Sequence, residues 1–211
     1  MKNKIITIDG PAGSGKERIA KYLSKKWNLY HLDSGILYRR ISFIILKNKI
    51  NFKNSYQINR LFKKTKLISP RNNKKLRTEK IGKLASKIAT IKKIREFINI
   101  QQKKIVNNEL KKRGCVIDGR DIGSVVFKYA NIKIYVNVDA KIRAKRRHKQ
   151  LIDIGEKSIY AKILKELKLR DKKDKTRKNS PLVVPRDSYI IDNSNSFLNT
   201  IKQIKLIMKK I

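Results

Sequence analysis

The sequence predicts an α/β fold built on a parallel sheet. Three observations carry that prediction. Short apolar runs alternate with longer stretches whose apolar residues recur at helical spacing. The first run, Ile5 to Ile8, passes into a glycine-rich turn and then into a helical pattern. Asp9, Asp33, Asp118 and Asp192 each follow such a run, so carboxylates collect beyond the carboxyl ends of the strands, where open α/β sheets bind ligands.

Taken in order, Ile5 to Ile8 reads as a buried parallel strand. Gly10-Pro11-Ala12-Gly13-Ser14-Gly15-Lys16 follows, with Gly10, Gly15 and Lys16 at the G-x-x-x-x-G-K spacing of a phosphate-binding P-loop. Glycines keep side chains out of the turn so that backbone N–H groups can wrap an anion. The new helix points its positive end at that anion, and Lys16 adds a point charge. The motif calls for Ser or Thr after the lysine to hold Mg²⁺, but Glu17 and Arg18 stand there. Ile19, Ala20, Leu23 and Trp27 place a helix from about Ser14 to Trp27. Leu29 to Leu32 is a second strand, and Asp33-Ser34-Gly35 is a helix start with a polar cap. Leu37, Tyr38, Ile41 and Ile45 carry that helix to about Lys47.

Asn48 to Arg77 is expected to be loop with a short helix and weak strands, turning at Ser69-Pro70-Arg71-Asn72-Asn73. Thr78 caps a helix with Ile81, Leu84, Ala85 and Ile88 on one face, and a second helix through Ile94, Phe97, Ile98, Gln101 and Ile105 ends near Arg113-Gly114. Cys115 to Ile117 is a buried strand that delivers Asp118-Gly119-Arg120-Asp121, and Ile132 to Val138 is another. Lys141 to Leu151 and Ser158 to Leu169 read as helices separated at Gly155. Asp171 to Pro185 is expected to be a mobile charged loop, Tyr189 to Ile191 a final strand and Phe197 to Met208 a final helix.

Composition bounds the function. At 211 residues and 40% hydrophobic content the chain is long and apolar enough for one domain with a packed core, not a disordered segment. Cys115 is its one cysteine, which excludes an intrachain disulfide framework and points to a reducing compartment. The first apolar run is interrupted at Asp9, too early for a signal peptide. No stretch approaches the roughly 18 apolar residues of a membrane span. The expectation is a soluble cytoplasmic protein. The net charge of +39 raises nucleic-acid or membrane-surface binding, but the lysines are spread over every segment and aromatics rarely interleave with them. The charge therefore reads as compositional bias that also attracts anionic substrates.

These motifs resemble those of the bacterial cytidylate kinases, P-loop enzymes that move a phosphoryl group from ATP to CMP or dCMP. The resemblance runs nearly end to end: Ile8 to Lys16, Leu32-Asp33-Ser34-Gly35 with Tyr38-Arg39, Leu76-Arg77-Thr78-Glu79, Ala85 to Ala89 with Ile94-Arg95-Glu96, Asp118 to Gly123 with Val125-Val126-Phe127, and Arg170-Asp171 with Asp174, Arg177 and Pro181-Leu182. It implies a P-loop kinase fold in which a central five-stranded parallel sheet is flanked by helices. One kinase domain spans 1–211, with an acceptor-binding region at about 34–113, a small insert at about 48–77 and a lid at about 141–185.

The resemblance also implies a division of labour. Gly10, Pro11, Ala12, Gly13, Ser14, Gly15, Lys16, Glu17 and Arg18 form the ATP loop, with Arg146 of the basic trio Arg143, Arg146 and Arg147 facing the ATP phosphates. Arg39, Arg120 and Arg177 hold the acceptor phosphate, Ser34, Arg170 and Asp174 the sugar and neighbouring phosphate, and Ser86, Arg95 and Asp121 the cytosine. Lys16, Arg120, Arg177 and Asp118 carry the chemistry. Residue chemistry agrees: donor and acceptor phosphates repel, and arginine neutralises them bidentately. Asp118 closes an apolar strand, where a Walker-B-type carboxylate holds Mg²⁺ directly or through water. The expected partners are ATP and CMP or dCMP, with no membrane, no specific nucleic acid and a monomeric state.

Two departures stand out. The family's insert usually forms a small antiparallel sheet, and Lys66 to Arg77 is too short for all of it, so a reduced insert is expected. Glu17 either replaces the missing hydroxyl as a Mg²⁺ ligand or repels the phosphates, with Arg18 partly offsetting it. Two other readings are a relative acting on UMP, which the Ser86, Arg95, Asp121 set disfavours, and a degenerate kinase fold kept as a basic nucleic-acid-binding protein.

Overall fold

The computed structural model describes residues 3–71 and 73–209. Asn72, inside the turn expected at 69–73, lies outside the described residues. Strands β1 (Ile5–Asp9), β2 (Tyr30–Asp33), β3 (Cys115–Gly119), β4 (Ile132–Asn137) and β5 (Tyr189–Asp192) form one sheet in the order β2-β3-β1-β4-β5. Every neighbouring pair is parallel. The helices are α1 (Lys16–Trp27), α2 (Ser34–Lys47), α3 (Ser55–Lys64), α4 (Glu79–Ile88), α5 (Lys92–Leu110), α6 (Ala140–Asp153), α7 (Tyr160–Thr176) and α8 (Phe197–Lys209).

Strand alternation sorts the core into two layers. Cys115 and Ile117 pack with Leu32, Ile36, Leu37, Ile41, Ile94 and Ile98, while Val116 between them packs with Ile6, Ile8, Ile19, Leu23, Ile134 and Ile204. Successive side chains point to opposite faces, so α2 to α5 cover one face and α1 and α8 the other. The chain leaves β1 in one direction to reach β2 and leaves β3 in the other to reach β4. That reversal opens a crevice beyond the carboxyl ends of β1 and β3, and the register sets Asp33 beside Asp118 and Asp9 beside Gly119 at its floor.

Caps fall where the sequence puts them. The Asp33 carboxylate accepts from Gly35 N at 2.9 Å and starts α2, and Thr78 Oγ1 starts α4 by accepting from Ile81 N. Three expectations are corrected. The 48–77 segment holds α3 and a 3-10 turn at Lys74–Arg77, and no strand occurs there among the described residues. Asn54 caps α3 through Gln57 N, and Ile58, Leu61 and Phe62 recur at helical spacing, with the Phe62 ring stacked on Phe97 at 4.0 Å. Helix α5 stops at Leu110, before Arg113-Gly114. Helix α7 runs on to Thr176, so Asp171 to Thr176 is helical rather than loop. No glycine or proline interrupts that stretch, and its two aspartates are anchored by Arg143 and Arg120.

Candidate active site

A cleft of about 330 Å³ lies over the crevice. The glycine-rich loop forms one wall. Gly13 (φ +73°) and Gly15 (φ +85°) take left-handed backbone that L-residues avoid, and this curls the loop before α1. Lys16 is buried at the first turn of α1, and its ammonium donates to Pro11 O at 3.1 Å, back across the loop. Burial, with the Arg120 guanidinium adding repulsion, pushes its pKa down to about 7. A buried cation held this far below its ordinary value gains most when an anion arrives.

The opposite wall is a chain of ion pairs. Arg95 donates to Asp121 Oδ2, and Arg177 reaches Asp121 Oδ1 at 3.4 Å and Asp174 Oδ1 at 3.9 Å. Arg120 Nε donates to Asp174 Oδ2 at 3.1 Å. These residues come from α5, the end of β3, and α7 with the segment after it, so the order Arg95, Asp121, Arg177, Asp174, Arg120 ties three parts of the chain together across the cleft. Arg170 and Asp174 do not pair with each other as a surface i,i+4 couple would; Asp174 is committed to Arg120 and Arg177.

The arginines are crowded. Arg39, Arg170 and Arg177 all hold their protons less firmly than usual, first through burial and then through a neighbouring arginine: Arg77 for Arg39, Arg120 for Arg170 and Arg95 for Arg177. The buried Nε of Arg170 has no hydrogen-bond partner among the described residues. Such crowding costs stability unless anions share the space.

The floor carries carboxylates. His31 Nε2 donates to Asp118 Oδ1 at 2.7 Å. Asp33 holds its proton more firmly than usual, through burial and then the neighbouring Asp118 charge, with Glu17 adding to it. Glu17 pairs with Lys21 at 2.9 Å and with Arg77 at 3.2 Å, and Arg77 also reaches Asp33 at 3.3 Å. Burial raises the Glu17 carboxyl, but the Lys21 hydrogen bond and the Arg77 charge outweigh it and the net shift is downward.

Of the residues singled out in the sequence, Ala12, Gly13, Gly15, Lys16, Glu17, Ser34, Arg39, Ser86, Arg95, Asp118, Arg120, Asp121, Arg170, Asp174 and Arg177 line this one cleft. Gly10, Pro11, Ser14, Arg18 and Arg146 do not line it. Arg18 stacks on the Phe197 ring at 3.9 Å, and Arg146 donates to the carbonyls of Ser194 and Asn195. Arg143 is buried and supports the loop from behind, donating to Ala12 O at 2.9 Å and pairing with Asp171, whereas Arg147 is exposed. Asp9 sits below the cleft, fully buried, accepting from Ile122 N and Gly123 N at 2.8 and 2.7 Å and so fixing a single π-turn at Ile122–Val126. Burial raises its pKa to about 6. Asp192 is spent on Ser194 N.

Sequence reasoning missed His31, Tyr38, Arg77 and Asn193 as site-forming residues. The first was visible as a polar residue two before Asp33 in a strand, which shares the face of Asp33; its partner Asp118 emerges only from the β2–β3 register.

Comparisons with known proteins agree with this geometry. The sequence profile of the family described as cytidylate kinase matches residues 6–211. A protein named cytidylate kinase from Fusobacterium nucleatum is 38% identical, covering 100% of this chain and 98% of its own length. One of the same name from Rickettsia rickettsii is 39% identical over 99% of this chain and 93% of its own. Among solved structures, shikimate kinase from Bacteroides thetaiotaomicron superposes with a TM-score of 0.51 at 13% identity, covering 98% of this chain and 97% of that one, a likeness of fold. TT1252 from Thermus thermophilus gives 0.53 at 16% identity, over 99% and 97%. The chain belongs to the cytidylate kinase family.

Proposed function

We propose that the chain transfers the γ-phosphoryl group of ATP to CMP or dCMP, giving ADP and CDP or dCDP. The observation that carries this reading is the cleft itself: a P-loop lysine faces a buried ladder of arginines and carboxylates contributed by α5, the turn after β3, and α7 with the residue that follows it. A phosphate monoester loses its second proton at about pH 6, so an oxygen of the CMP phosphate is already anionic and needs no general base. It attacks the γ-phosphorus, the bond from that phosphorus to the β-bridging oxygen breaks, and ADP leaves with the electron pair. The residues are required to hold two anions in line and neutralise the charge between them.

In this reading the loop and Lys16 take the ATP phosphates, with Arg146 at the rim of the donor side. Arg39, Arg120 and Arg177 take the acceptor phosphate, with Ser34, Arg170 and Asp174 beside them. Ser86, Arg95 and Asp121 read the base: the Asp121 carboxylate can still accept from the cytosine amino group, since a carboxylate offers about four acceptor positions and two go to Arg95 and Arg177. The uracil carbonyl would meet it oxygen to oxygen. The described residues hold no preformed group of three or more metal-ligating side chains, so Mg²⁺ would arrive with the ATP phosphates and complete its oxygen shell on carboxylates of the floor. We assign Asp118, with Glu17, to hold it. When bound, Mg²⁺ neutralises phosphate charge. The lid at about 141–185 excludes water, which would otherwise take the phosphoryl group. No helix among the described residues is long and apolar enough to cross a membrane.

Incubation with Mg²⁺, ATP and CMP, followed by chromatographic separation of nucleotides, should give CDP and ADP in equal amounts. CDP absent from that mixture would overturn the reading.

A further inference from the structure

Behind the P-loop lies a clamp that none of the catalytic assignments uses. We propose that Asn193 is a positioning residue for the donor phosphates, holding the P-loop backbone in its anion-ready curl, and that Thr200 anchors the far end of its amide.

The geometry is closed and buried. Gly13 and Gly15 take left-handed backbone on either side of Ser14, and Ser14 itself does not line the cleft. Ser14 is fully buried, and its carbonyl must find a donor inside the protein. Asn193 Nδ2 supplies it at 2.7 Å. Asn193 follows β5, is itself buried, and is fixed to the sheet by its own N–H, which donates to Asn137 O at 3.1 Å.

An amide could present either end to the loop. The carbonyl of Ser14 only accepts, so the NH₂ end must face it. The oxygen end then needs a donor, and Thr200 Oγ1, fully buried on α8, donates to Asn193 Oδ1 at 2.6 Å. A second acceptor, Ser196 O, lies farther from that hydroxyl at 3.5 Å. Rotating the amide would set oxygen against oxygen at Ser14, whereas the Thr200 hydroxyl, which can donate or accept, would still bond the turned NH₂; the Ser14 carbonyl therefore fixes which end faces the loop, and Thr200 anchors the other end. The packing is also specific for glycine beside the clamp: a Cβ on Gly15 would come within 2.3 Å of Asn193 Nδ2. The next two residues, Ser194 and Asn195, receive Arg146 through their carbonyls. One turn therefore links the P-loop, α8 and the middle of α6.

The inference rests on the donor role given to the loop above, and its test separates the two. Purified wild type, Asn193→Ala, Thr200→Val and Thr200→Ser are compared for ADP binding by calorimetry without acceptor, for the KM of ATP and of CMP, and for thermal melting. Asn193→Ala should weaken ADP binding and raise the ATP KM about tenfold, one bond of roughly 1.4 kcal/mol, while the CMP KM stays within about twofold. Thr200→Val should move the same donor quantities in the same direction by a smaller factor, and Thr200→Ser, which keeps the hydroxyl, should restore them. Should Asn193→Ala fail to fold, the Thr200 pair decides. Unchanged ADP affinity in both Asn193→Ala and Thr200→Val, or equal rises in the two KM values, would overturn the proposal. Wild type that binds ADP but forms no CDP would refute the acceptor assignment and leave the clamp to be judged on ADP binding alone.

Discussion

Replacing Arg177 by alanine separates turnover from stability. Its guanidinium reaches Asp121 at 3.4 Å and Asp174 at 3.9 Å, and its Nε donates to Ser180 O at 2.6 Å. Removing one partner of a buried ion pair ordinarily costs about 3–5 kcal/mol, because the other charge is stranded. Here neither carboxylate is stranded: Asp121 keeps Arg95 and Asp174 keeps Arg120. The loss should fall to about 1.5–3 kcal/mol, the worth of a charged hydrogen bond. For a domain of this size that is a melting shift of roughly 3–12 °C. Turnover should respond far more, since a preorganised donor aimed at developing charge in a dry site contributes roughly 10²–10³-fold. The assay is steady-state kinetics with ATP and CMP varied in turn, beside a thermal melt. The expected outcome is a kcat with CMP lowered by about 10²–10³-fold, an ATP KM changed by less than about threefold, and partial recovery in Arg177→Lys, which restores charge without the planar fork. Equal losses in ATP affinity and turnover would refute the assigned role, as would unchanged kcat.

Lys16, with its pKa pushed down to about 7 against an ordinary 10.5, binds fewer protons folded than unfolded between those values. Stability of the ligand-free protein should therefore rise with pH above about 7 relative to Lys16→Met, by at most about 1.4 kcal/mol per unit. Paired urea titrations from pH 7 to 9 in an anion-poor buffer check this, and a flat difference would contradict it. Glu17→Ser should shift the Mg²⁺ concentration for half-maximal rate while changing stability by less than about 1 kcal/mol, because the Arg77 pair it breaks is partly exposed; an unchanged metal titration would exclude Glu17 as a ligand. Gly123→Ala should destabilise by about 1–3 kcal/mol in denaturant unfolding, since its Cβ would come within 2.7 Å of Thr7 Oγ1 and 3.3 Å of Asp9; a neutral result would show that the π-turn gives way.

The parallel sheet was legible because the buried strands are unbroken apolar runs, such as Cys115 to Ile117, each ending at a turn. In the 48–77 segment the short helix expected from the sequence is Ser55–Lys64, with Ile58, Leu61 and Phe62 at helical spacing, whereas the weak strands expected beside it do not occur among the described residues. The end of α7 was misread because Asp171 to Thr176 looks like a solvated charge run, and only the tertiary partners Arg143 and Arg120 explain its order. The P-loop was local in sequence and therefore visible. The Thr200–Asn193–Ser14 clamp joins positions 179 residues apart on one side, and no spacing rule reaches that far. Asp9, expected at the ligand edge, sits below it because the N–H groups of Ile122 and Gly123 claim both of its oxygens.

The central claim is that the arginine-lined wall takes a cytidine monophosphate. Initial rates of ADP formation with Mg²⁺ and ATP, measured against CMP, dCMP, UMP and no acceptor, test it most directly. Rapid ADP formation with CMP or dCMP is expected, with a kcat/KM for UMP lower by about 10²-fold or more, because a buried carboxylate then meets a carbonyl in place of an amino group. A rate with CMP no greater than with no acceptor, or a preference for UMP, would contradict it.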